Sequence, residues 1–312
     1  MKQKTLGLLF IALMLLLIGL QLQEDSPEGP GAGETGPLLA GLQANLDLVK
    51  ELQVLDRNGS VSVTITNDDG GWRILEKSGY PADFAVFSGL LRDIAGLEIA
   101  ERKTARAENH GLLGLASEGD TAGIVVRVIA DQDYEMMVGN AAQAGGTFVR
   151  RPGEDQVYLV AQSLDVSNDP VDYLDPVFLS LESSEVQSVR IASPGSLLIA
   201  VRDAETGKMT IDNLPEDAEL RYDTVADSLA RLFVNLRFED VEPYQPAFFS
   251  TPGETSVTLA SGESQTIWSE RIAENYWVRL DQQWQFRVSE YTYNQLNKTM
   301  QDMLKEESTD DD

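Results

Sequence analysis

Two stretches of the chain follow the same pattern, and this repeat constrains the fold more than any other feature of the sequence. Residues 148–160 read FVRRPGEDQVYLV, and residues 276–288 read YWVRLDQQWQFRV. Phe148 aligns with Trp277 at an offset of 129, and Tyr158 aligns with Phe286 at an offset of 128, so the two turns differ by one residue. Apolar residues flank a turn in both, which predicts one hairpin used twice.

The first half of the chain predicts strands, a helix and then more strands. Val61, Val63 and Ile65 alternate with polar residues as in a strand with one buried face, and residues 72–75 would be its partner strand. Four further strands follow at residues 124–129, 134–138, 148–151 and 157–160. Between these groups a helical period places six apolar residues on one face: Phe84, Phe87, Leu90, Leu91, Ile94 and Leu97.

The second half repeats this order. We expect strands at residues 189–191, 197–201, 209–211, 256–259, 266–268, 276–280 and 284–288. A helix is predicted between the third and fourth of these strands, with a face of Val225, Leu229, Leu232, Phe233 and Leu236. The predicted class is therefore α+β, with an N-terminal transmembrane helix followed by two tandem similar units, each of antiparallel strands and a packed amphipathic helix.

The amino-terminal segment predicts a membrane helix. Lys2 and Lys4 precede an uncharged, leucine-rich stretch that extends to Gln23. Eighteen residues from Thr5 would span roughly 27 Å as a helix, close to the hydrocarbon thickness of about 30 Å. No small-residue cleavage site follows it, so we expect an uncleaved signal anchor. The positive-inside rule then places the amino terminus in the cytoplasm and the body on the extracytoplasmic, periplasmic side of a bacterial inner membrane.

The predicted organisation has five parts. An acidic stretch rich in glycine and proline starts at Glu24 and predicts a flexible linker. The carboxyl terminus, LKEESTDDD, is a run of like charge that predicts a disordered tail. The predicted segments are the anchor at 1–23, the linker at 24–45, the first unit at 46–175, the second unit at 176–302 and the tail at 303–312.

Charge and cysteine content restrict the function classes. The chain has 24 basic and 51 acidic residues, a formal net charge of −27. Such a body is repelled by phosphate backbones, so no nucleic-acid partner is expected. The sequence contains no cysteine, so stability must come from a buried core and not from disulfides.

Three short motifs invite a ligand but lack the required context. The GAGETG stretch at 31–36 fits the dinucleotide fingerprint but has no strand before it and Pro37 after it. Asp68 and Asp69 lie in a glycine-rich turn without the spacing of a calcium loop. Residues 205–208, ETGK, lack the first glycine of a phosphate-binding loop. We expect turns or linkers at all three and no cofactor.

The candidates for catalysis are few. His110 is the one histidine of the chain, and no nucleophile motif accompanies it, which favours a structural role. Four aspartates lie in LDVSNDPVDYLDP and could act as paired carboxylates, although the two prolines favour a connection between the units: Asp165, Asp169, Asp172 and Asp175. No catalytic, cofactor-binding or metal-binding residue is assigned, and an enzyme is not expected.

Arg150 and Arg151 leave two interpretations open. Two adjacent arginines beside a turn could bind an anion, or they could be the rim of a hairpin. Because Arg279 occupies the matching place in the second hairpin, we expect Arg150 to be a strand position with its stem along the sheet. Its head would then lie in water or on a carboxylate.

Several motifs together carry a family resemblance. GWRI, YPADFAVFSGLLRDIAGLEIAERKTA, HGLLGL, GGTFVRRPGEDQVYLV and LDVSNDPVDYLD occur in this order. This combination resembles the bacterial domain-of-unknown-function family numbered 4340. The resemblance implies a membrane-anchored protein, some of whose relatives resemble the auxiliary component of an ABC transport system linked to gliding motility. That family often has an aromatic residue where His110 stands, which argues against a catalytic histidine.

We therefore expect a membrane-anchored accessory or interaction protein whose partner is a membrane complex such as an ABC transporter. The alternative is a cell-envelope protein that binds glycan or peptide, or hydrolyses them with carboxylates. It would use exposed aromatic residues beside acids, namely Trp268, Trp277 and Trp284 with Asp172 to Asp175.

Overall fold

The structure is a computed structural model that describes residues 35–68 and 71–305. It has 40% of its residues in strands and 20% in helices. In chain order the strands are β1 Gly36–Pro37, β2 Glu51–Leu55, β3 Val61–Asp68, β4 Gly71–Ile74, β5 Tyr80–Pro81, β6 Glu98–Arg102, β7 Ile124–Ile129, β8 Asp133–Ala141, β9 Thr147–Arg150 and β10 Val157–Val160. They continue as β11 Val177–Leu179, β12 Val186–Ser193, β13 Ser196–Arg202, β14 Met209–Ile211, β15 Leu236–Arg237, β16 Asp240–Pro243, β17 Gly253–Leu259, β18 Ser264–Ile272, β19 Asn275–Arg279 and β20 Trp284–Val288.

The chain divides into two compact units. Among the described residues, the first unit comprises 35–64 and 85–168, and the second comprises 65–68, 71–84 and 169–305. In the first unit the strand order is β1-β6-β10-β9-β8-β7-β2-β3, with antiparallel neighbours. Successive side chains of a strand point to opposite faces of the sheet, and in this unit the buried face includes Val54, Val63 and Val126.

The second unit contains an antiparallel sheet in the order β14-β13-β12-β17-β18-β19-β20-β16. It also contains the small ladder β11-β15. Strand β4 pairs with the end of β3, from Ile65 to Asp68, and β5 pairs with β4. Its core includes Leu198, Val257 and Ile267, each fully buried.

The two units share a strand order. Read from β3, the first gives β3-β2-β7-β8-β9-β10-β6, and read from β13, the second gives β13-β12-β17-β18-β19-β20-β16. The chain therefore passes through corresponding strands in the same sequence in both. Four of these strands form a meander, which needs only short connections between antiparallel neighbours.

The pairing register confirms the alignment of the two hairpins. Val149 of β9 pairs with Tyr158 of β10, and Val278 of β19 pairs with Phe286 of β20. Likewise Thr147 pairs with Val160, and Tyr276 with Val288. The predicted correspondence at offsets 129 and 128 thus holds residue by residue across both ladders.

The predicted α+β class is wrong, because the structure is mostly β-sheet and does not place a packed amphipathic helix in each unit. The described residues contain α-helices at Phe84–Ala95, Asp227–Ala230 and Glu290–Leu296. Of the helix expected across residues 225–236, only Asp227–Ala230 is α-helical, followed by a 3₁₀ turn at Arg231–Phe233. Asn235 takes φ of 57°, a left-handed conformation that ends a helix, and Leu236 lies in β15.

The predicted transmembrane helix at 1–23 lies outside the described residues, as do residues 24–34 of the linker and the last seven residues of the tail. Within residues 35–68 and 71–305, no helix is long and apolar enough to cross a membrane.

Candidate functional site

A groove in the second unit is the best candidate for a binding site. It has a volume of about 590 Å³ and is lined by residues 228–239, with gaps, on one side and by residues 289–295, with gaps, on the other. We call it the arginine groove, after Arg231 and Arg237, which both line it. Neither residue was singled out from the sequence.

The first wall arises from the short helix and the strand that follows it. Leu229, Leu232 and Phe233 are buried, which leaves Arg231 and Val234 facing solvent. The left-handed Asn235 then turns the chain into β15. Residues 234–239 all line the groove, so its wall is a continuous stretch of chain.

The second wall is the start of the helix Glu290–Leu296. The Ser289 hydroxyl caps this helix by accepting a hydrogen bond from the Thr292 amide at 3.2 Å. Leu296 is buried, whereas the Tyr291 side chain on the groove side is 72% exposed. Hydroxyl, amide and aromatic groups therefore face the two arginines.

The electrostatics of the groove are unusual for so acidic a chain. Both arginine side chains are exposed, and no described residue forms an ion pair or hydrogen bond with either guanidinium. Glu239, the one carboxylate that lines the groove, lies 3.9 Å from Arg287. Two cations thus remain available to an anionic ligand in a protein of net charge −27.

The pair Arg150 and Arg151 does not form such a site. Arg150 is 5% exposed, and its guanidinium donates to the Glu154 carbonyl at 2.9 Å, to the Leu115 carbonyl at 3.3 Å and to the Ser117 hydroxyl at 3.1 Å. The expectation that its head lies in water or on a carboxylate is therefore wrong. Arg151 donates twice to the Leu38 carbonyl, at 3.0 and 3.2 Å, and stacks on Tyr158.

Arg279 holds the corresponding position at the end of β19, in a different environment. Its guanidinium lies 4.0 Å from the ring centre of Trp268, 5.1 Å from that of Tyr244 and 5.5 Å from that of Phe249. The two units thus have an arginine at the same strand position. Carbonyl oxygens contact Arg150 in the first unit, and aromatic rings contact Arg279 in the second.

His110 has a structural contact. The side chain is 4% exposed, and its Nε2 lies 2.8 Å from the Asp155 carbonyl oxygen, to which it donates. No serine hydroxyl or carboxylate of the described residues is bonded to this ring, so the arrangement lacks the partner that a catalytic base requires.

The aspartate cluster is distributed along a connection. Asp165 falls in the first unit, whereas Asp169, Asp172 and Asp175 fall in the second. Asp169 caps a 3₁₀ turn through the Val171 amide at 3.0 Å, and Asp175 accepts from the Val177 amide at 2.9 Å. Among the described residues no group of three or more acids or histidines is arranged to hold a metal.

The tryptophans named for a glycan site are packed in the structure. Trp277 is 6% exposed, Trp268 stacks on Arg279, and Trp284 meets Tyr80 edge-on at 5.1 Å. Asp175 is close enough to Tyr80 to contribute, after burial, to raising the pKa of that phenol to about 12. The indole of Trp284 therefore packs on Tyr80 and is not presented to a ligand as an open aromatic face.

Of the remaining motifs ETGK forms a turn, whereas the described parts of the other two include the strand residues Gly36 and Asp68. The Asp203 carboxylate accepts from the Thr206 amide at 2.7 Å and from its hydroxyl at 2.8 Å, which closes the ETGK turn and lowers the pKa of that carboxyl. Asp68 pairs with Arg73 at 3.0 Å, while Asp69 lies outside the described residues. Of the glycine-rich fingerprint only its end is described, where Gly36 opens β1.

One family model matches this chain, over residues 72–261, and its description is Domain of unknown function (DUF4340). The chain belongs to the DUF4340 family. The match covers more than half of the sequence and spans β4 to the end of β17. No curated protein and no solved structure matches the chain. In this DUF4340 member the first wall of the arginine groove falls inside the matched region and the second wall falls beyond it.

Proposed function

We propose that this DUF4340 member is a membrane-anchored extracytoplasmic accessory protein that binds a protein partner through the arginine groove. The observation that carries the proposal is a pair of exposed cations, Arg231 and Arg237, that no residue of the described part of the chain pairs, in a groove of ligand-binding size. Cations that are free of partners within so acidic a chain support a role in recognition.

The composition of the groove favours binding over catalysis. Its lining includes one carboxylate, Glu239, which faces Arg287, and it includes neither histidine nor lysine. General acid–base chemistry needs a titratable group near its reacting atom. The exposed apolar groups of Val234 and Tyr291 instead provide surface that a partner would cover.

The location and the class of partner follow from the sequence. The leucine-rich segment at 1–23 predicts the anchor, and the positive-inside rule supports an extracytoplasmic body. The resemblance to relatives that accompany an ABC transport system supports a membrane complex of that kind as the partner. The anchor would concentrate both proteins at one membrane surface, which strengthens a weak groove contact.

Affinity capture from native membranes tests the proposal. The full-length protein should retain a membrane complex, and deletion of residues 1–23 should reduce the yield because the local concentration falls. The double variant Arg231→Glu, Arg237→Glu should lose the complex, whereas Arg190→Glu should retain it, since Arg190 is exposed in the same unit but lies outside the groove. Equal yields from the wild type and the double variant would refute the role of the groove.

A further inference from the structure

We infer that the arginine groove takes an extended acidic peptide segment of its partner, which adds a strand to β15. The inference rests on the proposed function and specifies the chemistry of the same site. Its grounds are the unpaired edge of β15, the position of that strand in the groove wall, and the charges beside it.

The ladder that contains β15 is incomplete. β15 pairs with β11 through Val177 with Arg237 and Leu179 with Leu236. No other strand of residues 35–68 and 71–305 joins this ladder, whereas the Glu239 amide, two residues further on, donates to the Arg287 carbonyl of β20 at 2.7 Å. The unpaired edge is therefore that of Leu236 and Arg237 themselves. Isolated two-stranded ladders are marginal, and an exposed strand edge is a template for a further strand.

The position of β15 makes this edge accessible from the groove. The stretch 234–239, which contains β15, forms one wall without interruption. Leu236 and Phe238 are buried, whereas Arg237 between them is exposed. This alternation is the side-chain period of a strand, and an added peptide strand would follow the same period.

The charge of the groove selects the peptide. Arg237 extends from the strand itself, and Arg231 opens the 3₁₀ turn six residues before it. Neither has a carboxylate partner among the described residues. Glutamate or aspartate at alternate positions of the incoming strand would place carboxylates toward these guanidinium groups. Apolar residues at the intervening positions would cover Val234, which is 47% exposed, and Tyr291.

A peptide fits these features better than an acidic oligosaccharide does. Both could bring carboxylates to the arginines, but only a peptide supplies the amide and carbonyl groups that pair with a strand edge. The backbone contact therefore distinguishes the two ligands in an experiment.

Peptide binding to the full-length protein in detergent tests the inference. The probe is a fluorescent seven-residue peptide of alternating glutamate and valine, followed by fluorescence anisotropy at low salt. We expect the lysine–valine counterpart to bind more than about tenfold more weakly. Arg231→Glu with Arg237→Glu should weaken binding of the acidic probe by more than about tenfold, and Arg190→Glu should change it less than about twofold.

Backbone methylation tests the strand itself. Two versions of the acidic peptide, N-methylated on one or the other set of alternate amides, each remove the donors of one strand edge. One of the two should bind more than about tenfold more weakly than the parent peptide. If both bind like the parent, the ligand does not add a strand. If an oligogalacturonate binds more tightly than the peptide, the groove takes glycans instead, and either result overturns the inference.

Failure here is distinguishable from failure of the proposed function. If the double variant loses its membrane complex while the acidic peptide does not bind, the groove is an interface for a partner of other chemistry, and only the strand addition is overturned. If the double variant keeps its complex, the proposed function fails as well.

Discussion

Trp268 and Arg279 face each other across the pairing of β18 with β19, and the guanidinium lies 4.0 Å from the indole ring centre. The Arg279 Nη1 donates to the Asp281 carbonyl at 3.2 Å, while its Nε is buried without a hydrogen-bond partner. The rings of Trp268, Tyr244 and Phe249 therefore provide much of the favourable environment of this cation.

Arg279→Lys should lower the free energy of unfolding by about 1 kcal/mol, because an ammonium group lacks the flat face that stacks on Trp268. Urea unfolding of the full-length protein, followed by tryptophan fluorescence, measures the loss. Arg271→Lys is the matched control, since the Arg271 side chain is 53% exposed beside Tyr276 and should change stability by less than about 0.5 kcal/mol. Equal losses in the two variants would contradict the role of the aromatic enclosure.

Arg150→Met should destabilise the first unit by about 1–3 kcal/mol, because the Leu115 and Glu154 carbonyls lose their donor. Removing a buried charge relieves a desolvation cost, and the Arg150 Nε has no hydrogen-bond partner, but three oxygen acceptors bind the two Nη atoms. The midpoint of urea unfolding should fall. Arg102→Met, at an exposed arginine bonded to Gln156, should leave it nearly unchanged. A midpoint for Arg150→Met at or above that of the wild type would show that the guanidinium contacts do not stabilise the fold.

The Lys77–Asp240 pair should show a coupling energy of about 1–2 kcal/mol in a double-mutant cycle with Lys77→Met and Asp240→Asn. Its Nζ–Oδ1 distance is 2.5 Å, and the side chains are 16% and 19% exposed. The same cycle at Lys305 and Glu219, which are 67% and 76% exposed, should give less than about 0.5 kcal/mol. Similar couplings at both pairs would mean that burial does not strengthen the first.

Stability should fall as the pH rises from 10 to 12, with part of the slope due to Tyr80. Burial, and then the charge of Asp175, raise the pKa of the Tyr80 phenol from its ordinary value of 10.0 to about 12 in the folded protein. In this window the unfolded chain has lost the proton that the folded protein retains, so raising the pH favours unfolding.

Tyr80→Phe should make the decline between pH 10 and 12 less steep, and Asp175→Asn should do so to a smaller extent, because burial is the larger cause. Urea midpoints at several pH values measure the slope. An identical slope in the wild type and Tyr80→Phe would show that Tyr80 does not titrate differently in the two states.

The sequence predicted the meanders well because their signals are local. β7, β10 and β20 have the predicted bounds, and alternation with turn residues is enough to locate such strands. The repeated hairpin at 148–160 and 276–288 was also predicted correctly. The pairing register fixes which residues face each other, so equivalent positions carry similar residues in both.

The parts that failed depend on contacts distant in sequence. Arg150 reaches the Leu115 carbonyl, 35 residues away, and no periodicity predicts that bond. The predicted helix across residues 225–236 had the correct apolar spacing, but the left-handed Asn235 diverts the chain into β15. Strand β2, between its neighbours β7 and β3, was missed although Leu52 and Val54 alternate with Glu51 and Gln53 as in a half-buried strand.

The candidate site could not be found from the sequence. Arg231 lies between Leu229 and Leu232 and resembles a solvent-facing helix position, and Arg237 resembles the exposed side of a strand. Only the fold brings both to one groove with Tyr291, more than 50 residues later. The available signal was the scarcity of cations in a chain with 51 acidic and 24 basic residues, and the sequence does not show which of them lack a partner.

Photo-crosslinking in native membranes tests the central claim most directly. A benzoylphenylalanine at Val234, 47% exposed in the arginine groove, should give one dominant adduct with a membrane protein, and Arg231→Glu with Arg237→Glu should abolish it. The same group at Leu197, 41% exposed and outside the groove, should give little of that adduct. Equal yields of one adduct from Val234 and Leu197, or an adduct from Val234 that persists in the double variant, would contradict the assignment of the groove as the partner-binding site.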